Sequence, residues 1–280
     1  MAVNIAEIQK LRKMTGAGLA DCKKALADAD GDINKAIEII REKGQAIAAK
    51  RSDRDASNGC VLVKYDNGFA AIIALKCETD FVANNADHIK LTQAILDAAV
   101  AKKAKTLDEV KALILADGHS VEDAVIARSG ITGEKMELDG YLTLEGENIY
   151  TYNHQNTNLL CTLVQTNKPA PVEGHAITMQ VAAMNPVALD EASVPQSIKD
   201  EELRVAIEKT REEQAAKGKT PSDEMLQKIA QGRMGKFFKE SCLLNQEFIQ
   251  DSKLSVTEYL HAADKELTVV AFKRFTLRAE

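Results

Sequence analysis

Along the first 45 positions apolar residues return every three or four places. Ile5, Ile8 and Leu11 form one stripe behind the capping-box-like pair Asn4 and Glu7, and Thr15-Gly16-Ala17-Gly18 interrupts it. Leu19, Cys22 and Leu26 form a second stripe. After Asp30-Gly31-Asp32 a third carries Ile33, Ala36, Ile37 and Ile40 and is expected to stop at Gly44. Three short amphipathic helices can bury their stripes only on one another, so residues 1–45 predict an independent three-helix module. Residues 46–57, with Lys50-Arg51-Ser52-Asp53-Arg54-Asp55, predict a charged linker.

The pattern then changes. Val61–Tyr65 and Phe69–Lys76 are β-rich runs joined through Asp66-Asn67-Gly68, which predicts a hairpin. Residues 87–101 and the segments that follow Thr106 and Ser120 read as helices, the last two from their cap residues. Strand-like runs return at Tyr141–Leu144, Asn148–Tyr152 and Leu159–Gln165, and Leu267–Phe275 reads as a closing strand. Two charge-rich helical segments, Ile198–Glu213 and Ser222–Lys239, flank the breaker Lys217-Gly218-Lys219-Thr220-Pro221 and predict an antiparallel helical hairpin. The expected class is α+β. Residues 58–139 and 140–280 form two core subdomains with antiparallel sheets, the second carrying the hairpin at about 198–239.

Composition narrows the partners. In 280 residues, 36 basic side chains face 42 acidic ones, a net charge of −6, so neither a surface that neutralises many phosphates nor free nucleic acid as a direct partner is expected. No run approaches the ~18 apolar residues of a membrane span. Met1-Ala2-Val3-Asn4-Ile5-Ala6-Glu7 lacks the basic start of an export signal, so the chain is expected to be cytoplasmic with no membrane partner. The five cysteines, Cys22, Cys60, Cys77, Cys161 and Cys242, are an odd number and form no C-x-x-C, which fits reduced, buried thiols.

Chemical motifs are missing. Gly218-Lys219-Thr220 resembles the end of a P-loop, but Glu213 stands where that loop needs its first Gly. Gly16-Ala17-Gly18 has Asp21 in place of the third Gly of a dinucleotide fingerprint and follows a helix. The histidines His88, His119, His154, His175 and His261 show no metal-ligand spacing. The reading is a binding protein, not an enzyme, with no cofactor, metal or nucleotide site of its own. At the end of the second hairpin strand, Cys77-Glu78-Thr79-Asp80-Phe81-Val82-Ala83-Asn84-Asn85 sets an aromatic beside carboxylates. The pattern leaves two arrangements open: Asp80 capping the next helix with Phe81 in the core, or an exposed tip shaped to wedge into a partner.

Taken together these residues resemble the bacterial elongation factor Ts (EF-Ts) family, the guanine-nucleotide exchange factors of elongation factor Tu. The resemblance rests on Thr15-Gly16-Ala17-Gly18-Leu19-Ala20-Asp21-Cys22-Lys23-Lys24-Ala25-Leu26 and on Cys77-Glu78-Thr79-Asp80-Phe81-Val82-Ala83. His175–Leu189, with Ala182-Ala183-Met184-Asn185-Pro186, and Gly232-Arg233-Met234 through Leu243-Leu244-Asn245-Gln246 are similar to further family segments, so nearly the whole chain is covered. It implies a UBA-like N-terminal module, two α+β core halves and a hairpin projecting from the second. It also implies binding to elongation factor Tu, GDP-bound and nucleotide-free, with disturbance of its Mg²⁺ and phosphate site so that GDP leaves and GTP can bind. By resemblance Thr79, Asp80, Phe81 and Val82 enter the partner near its Mg²⁺, Leu19 and Lys23 touch its GTPase domain, and the regions of His154 and Ile249 meet other parts of it.

Three departures from the family pattern stand out. Gln246-Glu247-Phe248 replaces the usual Gln-Pro-Phe, which changes local stiffness beside Ile249. Ala20 stands where Met is frequent and offers less apolar contact. The sequence ends at Glu280, soon after Arg274-Phe275, where many members continue into a helical tail, so contacts from that tail are expected to be missing. The helical hairpin has no sustained heptad seam, which favours a one-to-one complex and leaves pairing of two complexes through the hairpin as an open expectation. The rival reading is an adaptor that binds elongation factor Tu without exchanging its nucleotide.

Overall fold

A computed structural model describes residues 4–218, 220 and 222–278. Met1–Val3, Lys219 and Pro221 of the expected breaker, and Ala279–Glu280 lie outside the described residues. The chain divides into two compact units.

The first unit holds the residues up to Glu145, with Asn153–Cys161 and the strand end from Phe275. It opens with α1 (Ile5–Thr15), α2 (Leu19–Asp28) and α3 (Ile33–Lys50). Asn4 caps α1 by accepting from the Ala6 N–H at 3.0 Å, and Asp32 caps α3 by accepting from the Asn34 and Lys35 N–H groups at 2.9 and 3.2 Å. Ile8, Leu11, Cys22, Ala25, Leu26 and Ala36 close the small core that the stripes require. Ile5 and Leu19 are exposed instead: each opens its helix, where the stripe runs past that core.

Next come β1 (Asn58–Asp66), β2 (Phe69–Cys77), α4 (Asp80–Ala83), α5 (Ala86–Lys102), α6 (Leu107–Ala112), α7 (Val121–Thr132) and β3 (Met136–Glu145). The hairpin closes as expected. Asp66 pairs with Phe69 across Asn67 and Gly68, both at positive φ (47° and 76°), a two-residue turn whose twist suits the strands. β3 pairs antiparallel with β2, giving the order β1-β2-β3. In the central strand Phe69–Leu75 are all buried; Phe69, Ala71, Ile73 and Leu75 pack with Ile95, Leu96 and Ala99 of α5, Val110 of α6 and Val121 of α7. Complete burial of each large member contributes about 1.5–3 kcal/mol.

One expectation fails here. α3 does not stop at Gly44 but runs on to Lys50, so the linker expected over 46–57 begins as helix. Gly44 serves close approach rather than termination. It lies where α3 crosses α7: a Cβ on Gly130 would sit 2.6 Å from the Gly44 Cα, and one on Gly44 would sit 3.3 Å from the Ile126 carbonyl oxygen. The three helices therefore have their own core and are also packed, through α3, on the helix that follows the sheet.

The second unit holds Gly146–Tyr152 and Thr162–Arg274. Its elements are β4 (Ile149–Asn153), β5 (Leu160–Thr166), α8 (Pro171–Met184), α9 (Gln196–Ala216), α10 (Asp223–Ser241), β6 (Glu247–Phe248), β7 (Asp251–Ser255), α11 (Val256–Ala263) and β8 (Val269–Thr276), with sheet orders β4-β5-β8 and β6-β7. Val164, Ile177, Val181, Leu243, Val256, Leu260 and Leu267 make its core, and Phe248 stacks on Tyr259 with ring centroids 3.9 Å apart. α9 and α10 form the expected helical hairpin, burying Ala206, Thr210, Leu226 and Ala230, and Arg233 bridges to Glu213 at 2.6 Å. α8 is absent from the periodic pattern because it buries polar Thr178 and Gln180 beside Ala176, Ile177, Val181 and Ala182 while Val172 and Met184 are exposed, so neither face is distinctly apolar or polar. The mixed α+β class read from the sequence holds.

The α3–α7 crossing yields a test. Gly130→Ala should lower the unfolding free energy by about 1–3 kcal/mol, since the methyl group must push α3 away. Urea unfolding measures it, and an unchanged midpoint would show that the helices part freely.

Candidate functional site

The motif that leaves β2 is displayed outward. Thr79 is in extended conformation (φ −121°, ψ 155°) and caps the single turn of α4, its hydroxyl accepting from the Val82 N–H at 3.4 Å. Thr79 is thus the cap, not Asp80. Ala83 turns inward and is buried, Val82 is half-buried, and Asp80 and Phe81 face solvent. Phe81 is 85% exposed, so the core position that the residue pattern allowed is overturned and the exposed tip is the arrangement observed. Leaving a phenylalanine in water forgoes about 1.5–3 kcal/mol, and Phe81 is more exposed than Ile5, Val172 or Ile114, the other strongly exposed apolar side chains among the described residues. The Asp80 carboxylate makes no ion pair among the described residues.

The base of this turn is fixed by two glutamates from separate parts of the chain. Glu134, just beyond α7, accepts with Oε2 from the Glu78 and Thr79 N–H groups, both at 3.1 Å, and with Oε1 from the Thr79 hydroxyl at 2.6 Å. Glu78 reaches the other way, its Oε1 accepting from the Lys135 N–H at 2.7 Å while the Arg51 guanidinium donates to both its oxygens at 3.1 and 2.9 Å. The Glu78 carboxyl is held below the usual range, first by the Lys135 N–H and then by Arg51, against an opposing desolvation. Arg51, expected in a linker, caps α3 and ties its end to this turn. Sequence reasoning missed Glu134, which stands 55 residues from Thr79 with no local signal.

The remaining expected residues are placed separately. Leu19, 51% exposed, and Lys23, also exposed, lie one turn apart on one face of α2. His154 is half-buried in the connection from β4 to β5, where Gln155, Asn156 and Asn158 all take positive φ and Thr157 returns hydrogen bonds to the His154 carbonyl. Ile249 belongs to the second unit, 41% exposed at the tip between β6 and β7. Buried Gln180 holds that tip: its Oε1 accepts from the Ile249 N–H at 2.8 Å, and its Nε2 donates to Gln246 Oε1 and to the Glu247 carbonyl at 3.1 and 3.0 Å. With Glu247 in place of a proline, this amide network fixes the tip.

The chemistry available is that of contact. All five thiols are free and buried, and burial pushes each of them up, Cys60 to about 11 and Cys77 to about 12, so none supplies a thiolate near neutral pH. Among the described residues no group of three His, Cys, Asp or Glu side chains could hold a metal, and no helix is long and apolar enough to cross a membrane. An apolar cleft of about 360 Å³ beside α2, α3 and α7 is lined by none of the eight expected contact residues. Asp80 and Phe81 instead stand out from their turn into solvent.

The comparisons with known proteins agree with the residue pattern. A family model described as "Elongation factor TS" matches residues 78–279. The chain is 55% identical to an elongation factor Ts of Phocaeicola vulgatus, 54% to one of Parabacteroides distasonis and 52% to one of Porphyromonas gingivalis, each alignment covering 100% of both chains.

The depressed Glu78 carboxyl predicts a pH response. Its bonds to Lys135 and Arg51 are complete above the ordinary glutamate value and fail as pH falls through the lower, folded one. An acid titration followed at the Lys135 amide by NMR should therefore show its midpoint below 4.5. A midpoint at or above that value would mean that Glu78 gains nothing from these partners.

Proposed function

This chain belongs to the elongation factor Ts family, and we propose that it acts on its partner by driving the fixed Phe81 turn into it. It is a guanine-nucleotide exchange factor of translation elongation, with elongation factor Tu as partner. It shifts binding equilibria and breaks no covalent bond.

A GTPase holds GDP through backbone amides, a lysine and a Mg²⁺ ion that tolerates little departure from octahedral geometry, so a small displacement around the metal loosens the nucleotide. In our reading Phe81 wedges between partner side chains while Asp80 disturbs the polar network around the metal, with Thr79 and Val82 completing the inserted segment. Bound factor and bound GDP then weaken each other by one coupling free energy, and the factor speeds exchange in both directions. Nucleotide concentrations decide the product. The observation that carries this reading is the 85% exposure of Phe81 on a turn locked at its base. Leu19 and Lys23 on α2, and the tips around His154 and Ile249, supply further contacts that bring the wedge to its target.

The complex we infer is one-to-one and cytoplasmic, engages no nucleic acid directly, and can pair with a second complex through α9 and α10. The exposed Met225 beside the hairpin tip is an apolar foothold for such pairing.

Two measurements test this. Release of fluorescent GDP from elongation factor Tu at saturating factor should be about 30-fold slower with Phe81→Ala, the equivalent of about 2 kcal/mol for a buried aromatic anchor. Unchanged release would remove Phe81 from the account, and a stoichiometric complex with no stimulation by the wild-type chain would select the adaptor reading. In sedimentation equilibrium the mixture should populate a one-to-one species and its dimer, the dimer disappearing when residues 198–239 are replaced by a short loop. A dimer that survives this deletion would exclude the hairpin.

A further inference from the structure

The segment from Thr79 to Asn85 is gripped at both ends, from α7 and from the bend that follows it. At its start Glu134 binds two N–H groups and a hydroxyl, and is itself fixed: its N–H donates to Thr132 Oγ1 at 3.2 Å and its carbonyl accepts from the Ser129 hydroxyl at 2.6 Å. At its end Arg128, 8% exposed, donates through Nη2 to Asn85 Oδ1 at 2.8 Å, the same oxygen that caps α5 by accepting from the Asp87 N–H at 2.9 Å. Burying a guanidinium is unfavourable, and here its Nε–H finds no acceptor among the described residues. An apolar side chain of similar volume would serve core stability at least as well, so the arginine's distinctive contribution is where it holds Asn85.

We propose that Glu134 and Arg128 are positioning residues of the exchange step, holding the two ends of the Thr79–Asn85 segment against α7 so that Phe81 meets the partner in one fixed attitude. The proposal rests on the reading of Phe81 as the wedge. The same helix bears the N-terminal module, through the close crossing at Gly44 and Gly130 and the ion pair of Arg41 with Asp123, and Arg51 at the end of α3 clasps Glu78. A partner that seats on α2 is thereby offered the Phe81 turn at a set distance and angle.

The kinetic signature follows from populations. If the turn were loose, only a fraction of docked complexes would hold Phe81 in the effective attitude; the maximal rate of GDP release would fall by that fraction, while docking through the other contacts would be little changed. A mere loss of folded protein does the opposite: it raises the concentration needed for half-saturation and leaves the maximal rate intact.

The test is stopped-flow release of fluorescent GDP from elongation factor Tu over a concentration series of the full-length factor. Glu134→Ala should lower the maximal rate about ten-fold with less than a two-fold change in half-saturation. Thr79→Val, which removes one hydroxyl and spares the carboxylate, and Arg128→Met, which keeps the buried stem, should each lower it about three-fold in the same way, and they carry the test if Glu134→Ala does not fold. In a Phe81→Ala background Glu134→Ala should cost less than a further two-fold, because the clamp acts through that ring. A full maximal rate in the single variants, a change confined to half-saturation, or an undiminished loss in the Phe81→Ala background would overturn the clamp. A wild-type rate for Phe81→Ala alone would instead strike the wedge reading and the clamp with it.

Discussion

The first unit depends on how one carboxylate is used. Glu134 lies in the bend between α7 and β3, where a glutamate would ordinarily face water, and it turns both oxygens inward onto the backbone of residues 78 and 79 and the Thr79 hydroxyl. The chain leaving β2 has run out of strand partners there, and its N–H groups must be satisfied by something. A charged acceptor does so for both N–H groups at 3.1 Å and takes the Thr79 hydroxyl at 2.6 Å. Those bonds set the extended conformation of Thr79, which starts a single helical turn and sends Phe81 outward.

Exposure of Phe81 is unfavourable for the isolated chain and is tolerated because its surroundings make up the difference. β2 is buried along its whole apolar run, and the helices packed on it supply a rigid floor beneath the turn. A side chain held on a firm base has little conformational entropy left to lose on contact. The Ile249 tip shows the same logic in the second unit, where buried Gln180 and Gln246 satisfy backbone groups so that an aliphatic side chain can stand out at a tight turn.

The family match covers most of the chain. The family model begins at Glu78, the residue that Lys135 and Arg51 hold. The N-terminal helices lie outside that match, yet full-length relatives align across them, and α3 reaches the Phe81 turn through Arg51. α2 is thus joined through α3 and α7 to the Phe81 turn within one unit.

Local pattern was enough to predict the three-helix module, the Asn-Gly hairpin, the capped helices after Thr106 and Ser120, and the α9–α10 hairpin, because periodicity, caps and turn residues act within a few positions of one another. The capping box of α11, Ser255 with Glu258, is local in the same way. Three features lay beyond it. The continuation of α3 past Gly44 is set by α7, which lies some 80 residues further along and needs a glycine for close packing rather than for a helix end. α8 carries apolar residues on its exposed side, Val172 and Met184 among them, as well as on its buried one, so its sequence shows no period. The outward Phe81 is decided by Glu134 and Arg128, whose bonds to Thr79 and Asn85 span 55 and 43 residues. Short-range order is written in the neighbours of each residue, whereas the direction in which one exposed ring points is settled by side chains that only folding brings near.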